Sequence, residues 1–178
     1  MRALCFSDLH GKVDIARSFV RDVKRRGLEF DVIIAAGDIN NPQRPRAFIE
    51  IMQMLAGFGK PVLYVKGNWD VNLPKHEVPG VVDLEKASPF RIKGYTIVGH
   101  GRSMRQFPLN RDEKVILVTH YPPFSIMDKG KKLEAPQQTL HSGLIEINYL
   151  VDRYNPIVHL FGPSHTYGGI EWRLSNVV

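Results

Sequence analysis

The sequence has little cysteine and no long apolar segment, and each shortage excludes a class of protein. Cys5 is the only cysteine among 178 residues, so the chain cannot form an internal disulfide bond, and nothing in it requires an oxidising compartment. We expect Cys5 to be a small buried residue of the first strand. No apolar run approaches the ~20 residues that a membrane-spanning helix needs. The sequence therefore predicts a cytoplasmic protein without a membrane partner.

The charge of the chain is basic but dispersed. The formal net charge is +6 and the pI is about 9.5, which favours anionic partners. Much of the excess falls on the polar side of one predicted helix, as Arg17, Arg21 and Lys24, where a solvated face is the simpler interpretation. The basic pI alone therefore does not indicate a nucleic-acid-binding protein.

The first half of the chain alternates strands and helices. Apolar runs predict strands over 2–7, 31–36 and 61–65, and helical periodicity predicts helices over 12–26 and 45–55. This βαβαβ order is typical of a parallel sheet with right-handed crossovers. No Ser/Gly-rich linker divides the sequence, so we expect a single domain over 1–178.

The second half is richer in strands. Segments 90–92 and 95–98 flank a Lys-Gly turn and predict a hairpin, after a mixed stretch over 81–90. Further strands are expected over 114–119, 157–161 and 169–174, and a helix over 143–154. A polar stretch from 121 to 141 is the best candidate for a functional loop.

Six metal-binding side chains stand at the ends of the apolar runs, each beside a turn-forming residue. They are Asp8 and His10 in FSDLHG, Asp38 in IIAAGDIN, Asn68 in VLYVKGNWD, His120 in VILVTHYPP and His165 in LFGPSHTYGG. Buried strands that end in polar residues bring those residues to one edge of a sheet. Two carboxylates, one amide and three imidazoles suit Mn, Fe, Zn or Ni better than a structural zinc. The sequence thus predicts a transition-metal site.

These residues also occur in an order that resembles a known family. The series DxH, GD, GN, H and GxxH is similar to that of the calcineurin-like metallophosphoesterases, whose usual pattern is DxH, GD, GNH, H and GHxH. THYPP around His120 and the His141-Ser142-Gly143 segment extend the resemblance, which spans 3–169. It implies an α/β fold, namely a four-layer α/β/β/α sandwich of two mixed sheets flanked by helices.

The resemblance further implies a site for two divalent ions. Asp8, His10, Asp38 and His165 would hold one ion; Asp38, Asn68 and His120 would hold the other, and Asp38 would bridge them. Mn²⁺ is the metal we expect, with Fe, Ni or Zn as alternatives and one or two ions bound. Two such ions can clamp a phosphate and activate hydroxide as the nucleophile.

Two departures from the family pattern weaken this expectation. Trp69 replaces the GNH histidine, and indole cannot act as an acid, so the neighbouring Asp70 is without that partner. Pro163 replaces the first histidine of GHxH and removes a ligand of the second ion. His100, which ends an apolar strand, is the best candidate substitute, with His141 and His159 as alternatives. We therefore take Asp38, Asn68, Asp70 and His100 as catalytic candidates. Trp69 and His141 are candidates for substrate binding.

Three functions compete on this basis. The first is a metal-dependent phosphodiesterase or phosphatase with a weakened second metal, acting on a small phosphate ester or a nucleotide. The alternative is a degenerate member, weakly active or inactive, that serves as a protein-interaction or ligand-binding module. A nuclease is the minority interpretation, so nucleic acid is an unfavoured partner. A homo-oligomer also remains open.

Overall fold

Two β-sheets lie face to face and carry helices on their outer sides. The computed structural model describes residues 1–75, 77–101, 104–131 and 139–162. In those residues the strands are β1 (Ala3–Phe6), β2 (Val32–Ala36), β3 (Val62–Val65), β4 (Val81–Asp83), β5 (Phe90–Ile92), β6 (Tyr95–His100), β7 (Val115–Thr119), β8 (Lys129–Lys131), β9 (Thr139–His141) and β10 (Val158–Leu160). The helices are α1 (Val13–Arg25), α2 (Arg46–Ala56), α3 (Leu84–Ala87) and α4 (Ile145–Tyr154).

The first sheet has the order β1-β2-β3-β4 and is parallel throughout its described strands. Alternate residues point to opposite faces of a strand, and the burial follows that rule. Ile33 of β2 packs on the side of α1 and α2, together with Ile51. Ile34 packs on the other side, against Ile97 and Ile116 of the second sheet. Helices therefore cover one face and the second sheet covers the other.

The second sheet has the order β10-β7-β6-β5, in which the β5–β6 pair alone is antiparallel among the described strands. Val98 and Leu117 lie on its outer face and pack against Ile147 and Leu150 of α4. The layers are thus α/β/β/α, and the expected fold class is confirmed. The one finer difference is that the first sheet is parallel rather than mixed.

Most predicted elements lie within two residues of the observed ones. Four short elements were not predicted: β4 and α3 in the stretch over 81–90, where charges interrupt the apolar pattern, and the strands β8 and β9. The polar stretch over 121–141 contains a small antiparallel hairpin of β8 and β9. The strand predicted over 169–174 lies outside the described residues. The single domain over 1–178 stays a prediction.

The expectation that Cys5 is buried is wrong, because its side chain is exposed. Among the described strands β1 is the outermost of the first sheet on its side, and its alternate residues Leu4 and Phe6 are the ones that pack against the helical layer. Where residues are described, the helices are too short or too polar to cross a bilayer.

Candidate functional site

The loops after β1 and β2 hold three of the predicted ligands in unusual backbone conformations. Asp8, His10 and Asp38 have φ values of 59°, 48° and 52°, in the left-handed region that few non-glycine residues adopt. The two loops are bound together, because His10 N donates to Asp38 O at 2.8 Å and Asp8 N donates to Gly37 O at 3.1 Å. Three such residues in two bonded loops are typical of a functional site that the fold enforces.

These three side chains form one group of potential metal ligands. One ligand atom each from Asp8, His10 and Asp38 lies within 4.8 Å of the other two. His10 Nε2 lies 3.7 Å from Asp8 Oδ1. Asp38 is buried, so two carboxylates approach each other in a place where water screens their repulsion poorly. A divalent cation is the natural compensation for that arrangement.

A second group is built around His120, which is fully buried after β7. Its Nδ1 donates to the carbonyl oxygen of Ala36 at 3.0 Å, so in the neutral ring Nε2 carries the lone pair. Nε2 faces Asn68 Oδ1 at 3.0 Å and Asp38 Oδ2 at 3.5 Å. Ligand atoms about 3 Å apart are what an octahedral ion with bonds of about 2.1 Å requires in adjacent positions. The donor set and its spacing therefore fit a divalent ion here too, with Asp38 shared between both groups.

Glycines let the backbone approach these ligands closely. A Cβ atom on Gly67 would lie 2.2 Å from Asp38 Oδ1, and one on Gly37 would lie 2.5 Å from His120 Nδ1. A Cβ atom on Gly162 would lie 3.0 Å from Asp8 Oδ2. Gly162 thus fixes the start of the last ligand motif against the site. His165 and Pro163 themselves lie outside the described residues.

Asp70 connects the loop after β2 with the loop after β3, because its carboxylate accepts hydrogen bonds from backbone amides of both. Its Oδ1 accepts from Ile39 N at 3.0 Å and from Asn40 N at 2.7 Å, and its Oδ2 accepts from Gly67 N at 2.9 Å. Burial raises the pKa of the Asp70 carboxyl, and the nearby charge of Asp38 adds to that effect, whereas the hydrogen bonds from backbone amides oppose it. The sequence suggested a carboxylate without its partner, but the structure supplies three amide donors.

Trp69 stands at the rim of the ligand group. Its backbone N donates to Asp38 Oδ1 at 2.7 Å, and its ring lies edge-on to the His10 ring with 4.7 Å between centroids. The side chain is 41% exposed. An exposed indole beside these carboxylates forms an apolar wall next to a charged group, and the substrate-binding role of Trp69 stays a prediction.

The structure does not bring His100 to this group. His100 is paired in register with Thr119, one residue before His120, so the two histidines point to opposite faces of the second sheet. Its ring packs 5.6 Å from Phe107 and 5.7 Å from Tyr154, under α4. As a substitute ligand or catalytic group His100 is on the wrong side of the sheet.

His141 lies in the hairpin that follows His120. Its Nδ1 is 2.9 Å from Oδ1 of Asp128, a buried carboxylate that the sequence did not single out. The Asp128–His141 pair is separated by 13 positions within a polar stretch, so no periodicity marks it. Two polar residues in a candidate loop were the available signal, and it was too weak to specify a contact.

Comparisons with known proteins define the class of this protein. The model of the calcineurin-like phosphoesterase superfamily domain matches residues 1–149, so the chain belongs to that superfamily. This family defines a class of metal-dependent hydrolases that act on phosphate esters.

A more particular similarity is to the 3',5'-cyclic adenosine monophosphate phosphodiesterase CpdA of Haemophilus influenzae. The two are 33% identical over 51 residues, which is 29% of this chain and 19% of that protein. The matched segment thus spans about a fifth of the relative's length. One solved crystal structure superposes with a TM-score of 0.66 at 13% identity, over 91% of this chain and 83% of the other; it supports the fold.

Proposed function

We propose that this chain hydrolyses phosphodiesters with divalent metal ions bound by Asp8, His10, Asp38, Asn68 and His120. The observation that carries the proposal is the convergence of these five side chains from the ends of β1, β2, β3 and β7 on the shared carboxylate of Asp38. Bound ions would lower the pKa of water and stabilise the charge that develops on phosphate oxygens. His165 and Pro163 enter the proposal from the sequence only.

The residues of the chain prepare that chemistry in two ways. Ala36 O orients His120 so that Nε2 faces Asn68 and Asp38. The amide of Trp69 holds Asp38 Oδ1, which leaves Oδ2 toward His120. Removal of such outer hydrogen bonds commonly weakens metal binding by roughly 10- to 100-fold.

The substrate class we favour is a nucleotide diester. CpdA of Haemophilus influenzae is named for a cyclic nucleotide, and its match to this chain supports a substrate of that kind. The exposed Trp69 ring beside the ligands offers a surface on which a base can stack. Within the described residues no observation favours a long nucleic acid over such a small ligand.

The test is hydrolysis of bis-p-nitrophenyl phosphate by metal-stripped protein reloaded with Mn²⁺, Fe²⁺, Ni²⁺ or Zn²⁺. We expect metal-dependent turnover that Asp38→Asn abolishes, together with weaker Mn²⁺ binding by titration calorimetry. Asp14→Asn is the matched control, because Asp14 lies on the exposed side of α1. Turnover that persists in Asp38→Asn contradicts the proposal.

A second candidate function is a ligand-binding module that retains metal but does not hydrolyse. The observation in its favour is Trp69, an apolar side chain at the rim of the ligand group where a proton donor would be expected. Metal binding by the folded protein without turnover of the activated diester in any of the four metals would support the module and exclude the enzyme.

A further inference from the structure

The loop that leaves His120 contains a buried carboxylate that the metal centre does not use. Asp128 is 1% exposed. Its carboxylate accepts from Ser125 N at 3.0 Å and from Gly143 N at 3.2 Å, and it contacts His141 Nδ1 at 2.9 and 3.0 Å. Burial acts to raise the pKa of Asp128, but the hydrogen bonds from His141 and the two amides prevail and lower it. Asp128 is therefore ionised at neutral pH.

The contact with Asp128 fixes the tautomer and direction of the His141 ring. A carboxylate can only accept, so the proton of the ring lies on Nδ1. Nε2 is then directed away from Asp128, and 37% of the side chain is exposed to solvent. A half-exposed imidazole oriented by a buried carboxylate is one arrangement that supports general acid–base catalysis.

The hairpin that carries His141 is fastened to the segment immediately after His120. Leu144 N donates to Pro122 O at 3.1 Å. A Cβ atom on Gly143 would lie 2.4 Å from Pro123 O, so only glycine permits this approach. The Phe124 ring lies 5.0 Å from that of His141. His141 therefore belongs to the loop at the carboxyl end of β7, the same edge that presents His120 to the metal centre.

The other histidines of the described residues are committed elsewhere. His10 and His120 belong to the ligand groups, and His100 is buried on the far face of the second sheet. His159 Nε2 lies 2.8 Å from the Thr119 hydroxyl, whose own proton goes to Tyr121 O. An unactivated alcohol leaves phosphorus slowly unless its oxygen receives a proton.

We propose that His141 protonates the leaving oxygen of the substrate and that Asp128 is its positioning residue; the inference rests on the proposed phosphodiester hydrolysis. A water molecule gives one proton to the solvent, and the hydroxide that results forms the new P–O bond. The P–O bond to the alcohol breaks, its electron pair goes to the leaving oxygen, and that oxygen takes the proton from Nε2 of doubly protonated His141. The neutral ring keeps its Nδ1 proton toward Asp128 and regains the other from solvent.

The test compares two substrates that differ only in the leaving group, methyl p-nitrophenyl phosphate and methyl phenyl phosphate, with Mn²⁺-loaded protein. For His141→Asn we expect kcat/KM to fall about 3-fold on the nitrophenyl ester and about 100-fold on the phenyl ester, since p-nitrophenol needs little protonation. Asp128→Asn should show the same selectivity with a smaller loss, about 10-fold on the phenyl ester.

Asn148→Ala is the matched control for loosening of the loop. Asn148 accepts from Phe124 N at 2.7 Å and donates to Phe124 O, so it fastens the same loop without bearing a proton donor of this kind. It should lower both rates in equal proportion. Equal losses in His141→Asn would overturn the inference while the proposed function stands. Absence of wild-type turnover on both esters would overturn the proposed function and this inference with it.

A spectroscopic measurement tests the orientation without turnover. A long-range ¹H–¹⁵N spectrum of the wild-type protein should show the His141 proton on Nδ1, and Asp128→Asn should change the tautomer. A neutral His141 that carries its proton on Nε2 in the wild type would overturn the positioning role of Asp128.

Discussion

Trp69 and Asp38 are joined by a hydrogen bond from backbone to side chain, in which Trp69 N donates to Asp38 Oδ1 at 2.7 Å. The residue that departs most visibly from the family pattern thus still serves the central carboxylate through its main chain. A backbone amide does this whatever side chain it carries. A tryptophan in place of the histidine therefore keeps this hydrogen bond and changes the side chain that stands at the rim of the ligand group.

Replacement of Trp69 should weaken nucleotide binding more than metal binding. We expect Trp69→Ala to lower the affinity of the Mn²⁺-loaded protein for adenosine monophosphate about 10-fold, because base–aromatic stacking contributes ~1–3 kcal/mol. Quenching of tryptophan fluorescence by the nucleotide, present in the wild type and lost in Trp69→Phe, is the direct measurement. Tyr149→Ala, at an exposed aromatic residue of α4, should leave the affinity unchanged. Equal affinity in Trp69→Ala would exclude stacking.

Addition of a methyl group at Gly67 should disturb the metal centre. The new Cβ atom would lie 2.2 Å from Asp38 Oδ1, so Gly67→Ala must displace the shared ligand. We expect Mn²⁺ affinity to fall about 10- to 100-fold and stability to fall by about 1–3 kcal/mol. The control is Gly59→Ala, where φ is +67° but nothing lies within 4 Å; backbone strain should lower its stability without an effect on calorimetric metal binding. Unchanged Mn²⁺ affinity in Gly67→Ala would show that Asp38 is not a ligand.

Replacement of His100 should lower stability and spare the metal. The ring is buried between Phe107 and Tyr154 on the outer face of the second sheet, so His100→Gln loses packing there. We expect a decrease of ~1–3 kcal/mol in the free energy of unfolding by urea and the wild-type number of bound Mn²⁺ ions. His120→Gln should instead lose metal. A lost ion in His100→Gln would restore the substitute-ligand hypothesis.

The stabilising contribution of Glu113 should be lost in acid. Hydrogen bonds from Thr96, from the Asn110 amide and from Arg91 lower its pKa to about 2 in the folded state. A lowered folded pKa stabilises the protein above the unfolded value of about 4.3, and that stability is lost as pH falls toward about 2. Urea unfolding at pH 7 and at pH 3 should therefore show a larger deficit for Glu113→Gln at the higher pH. A deficit that does not shrink in acid would contradict this assignment.

The sequence predicted which polar side chains lie close together better than it predicted their surroundings. Asp8, Asp38 and His120 follow apolar strands, and strand ends are readable from hydrophobic runs alone. The contacts of Asp70, a catalytic candidate from the sequence, and those of Asp128 could not be predicted, because their partners are backbone amides and a histidine brought close by loops. His100 was misplaced for a related reason. It ends an apolar strand as His120 does, but the face to which each points depends on the pairing of β6 with β7, which no single strand reveals.

The three hydrogen bonds that Asp70 accepts from backbone amides join two loops of the site. The loop after β2 supplies Asp38, the loop after β3 supplies Asn68, and a single carboxylate spans both. The distance between the two ligand groups is therefore held by one side chain, whose carboxylate oxygens accept from backbone amides of both loops. Replacement of Asp70 should therefore alter the spacing of both ligand groups at once. Replacement of a single candidate ligand should remove one ligand atom and leave that spacing unchanged.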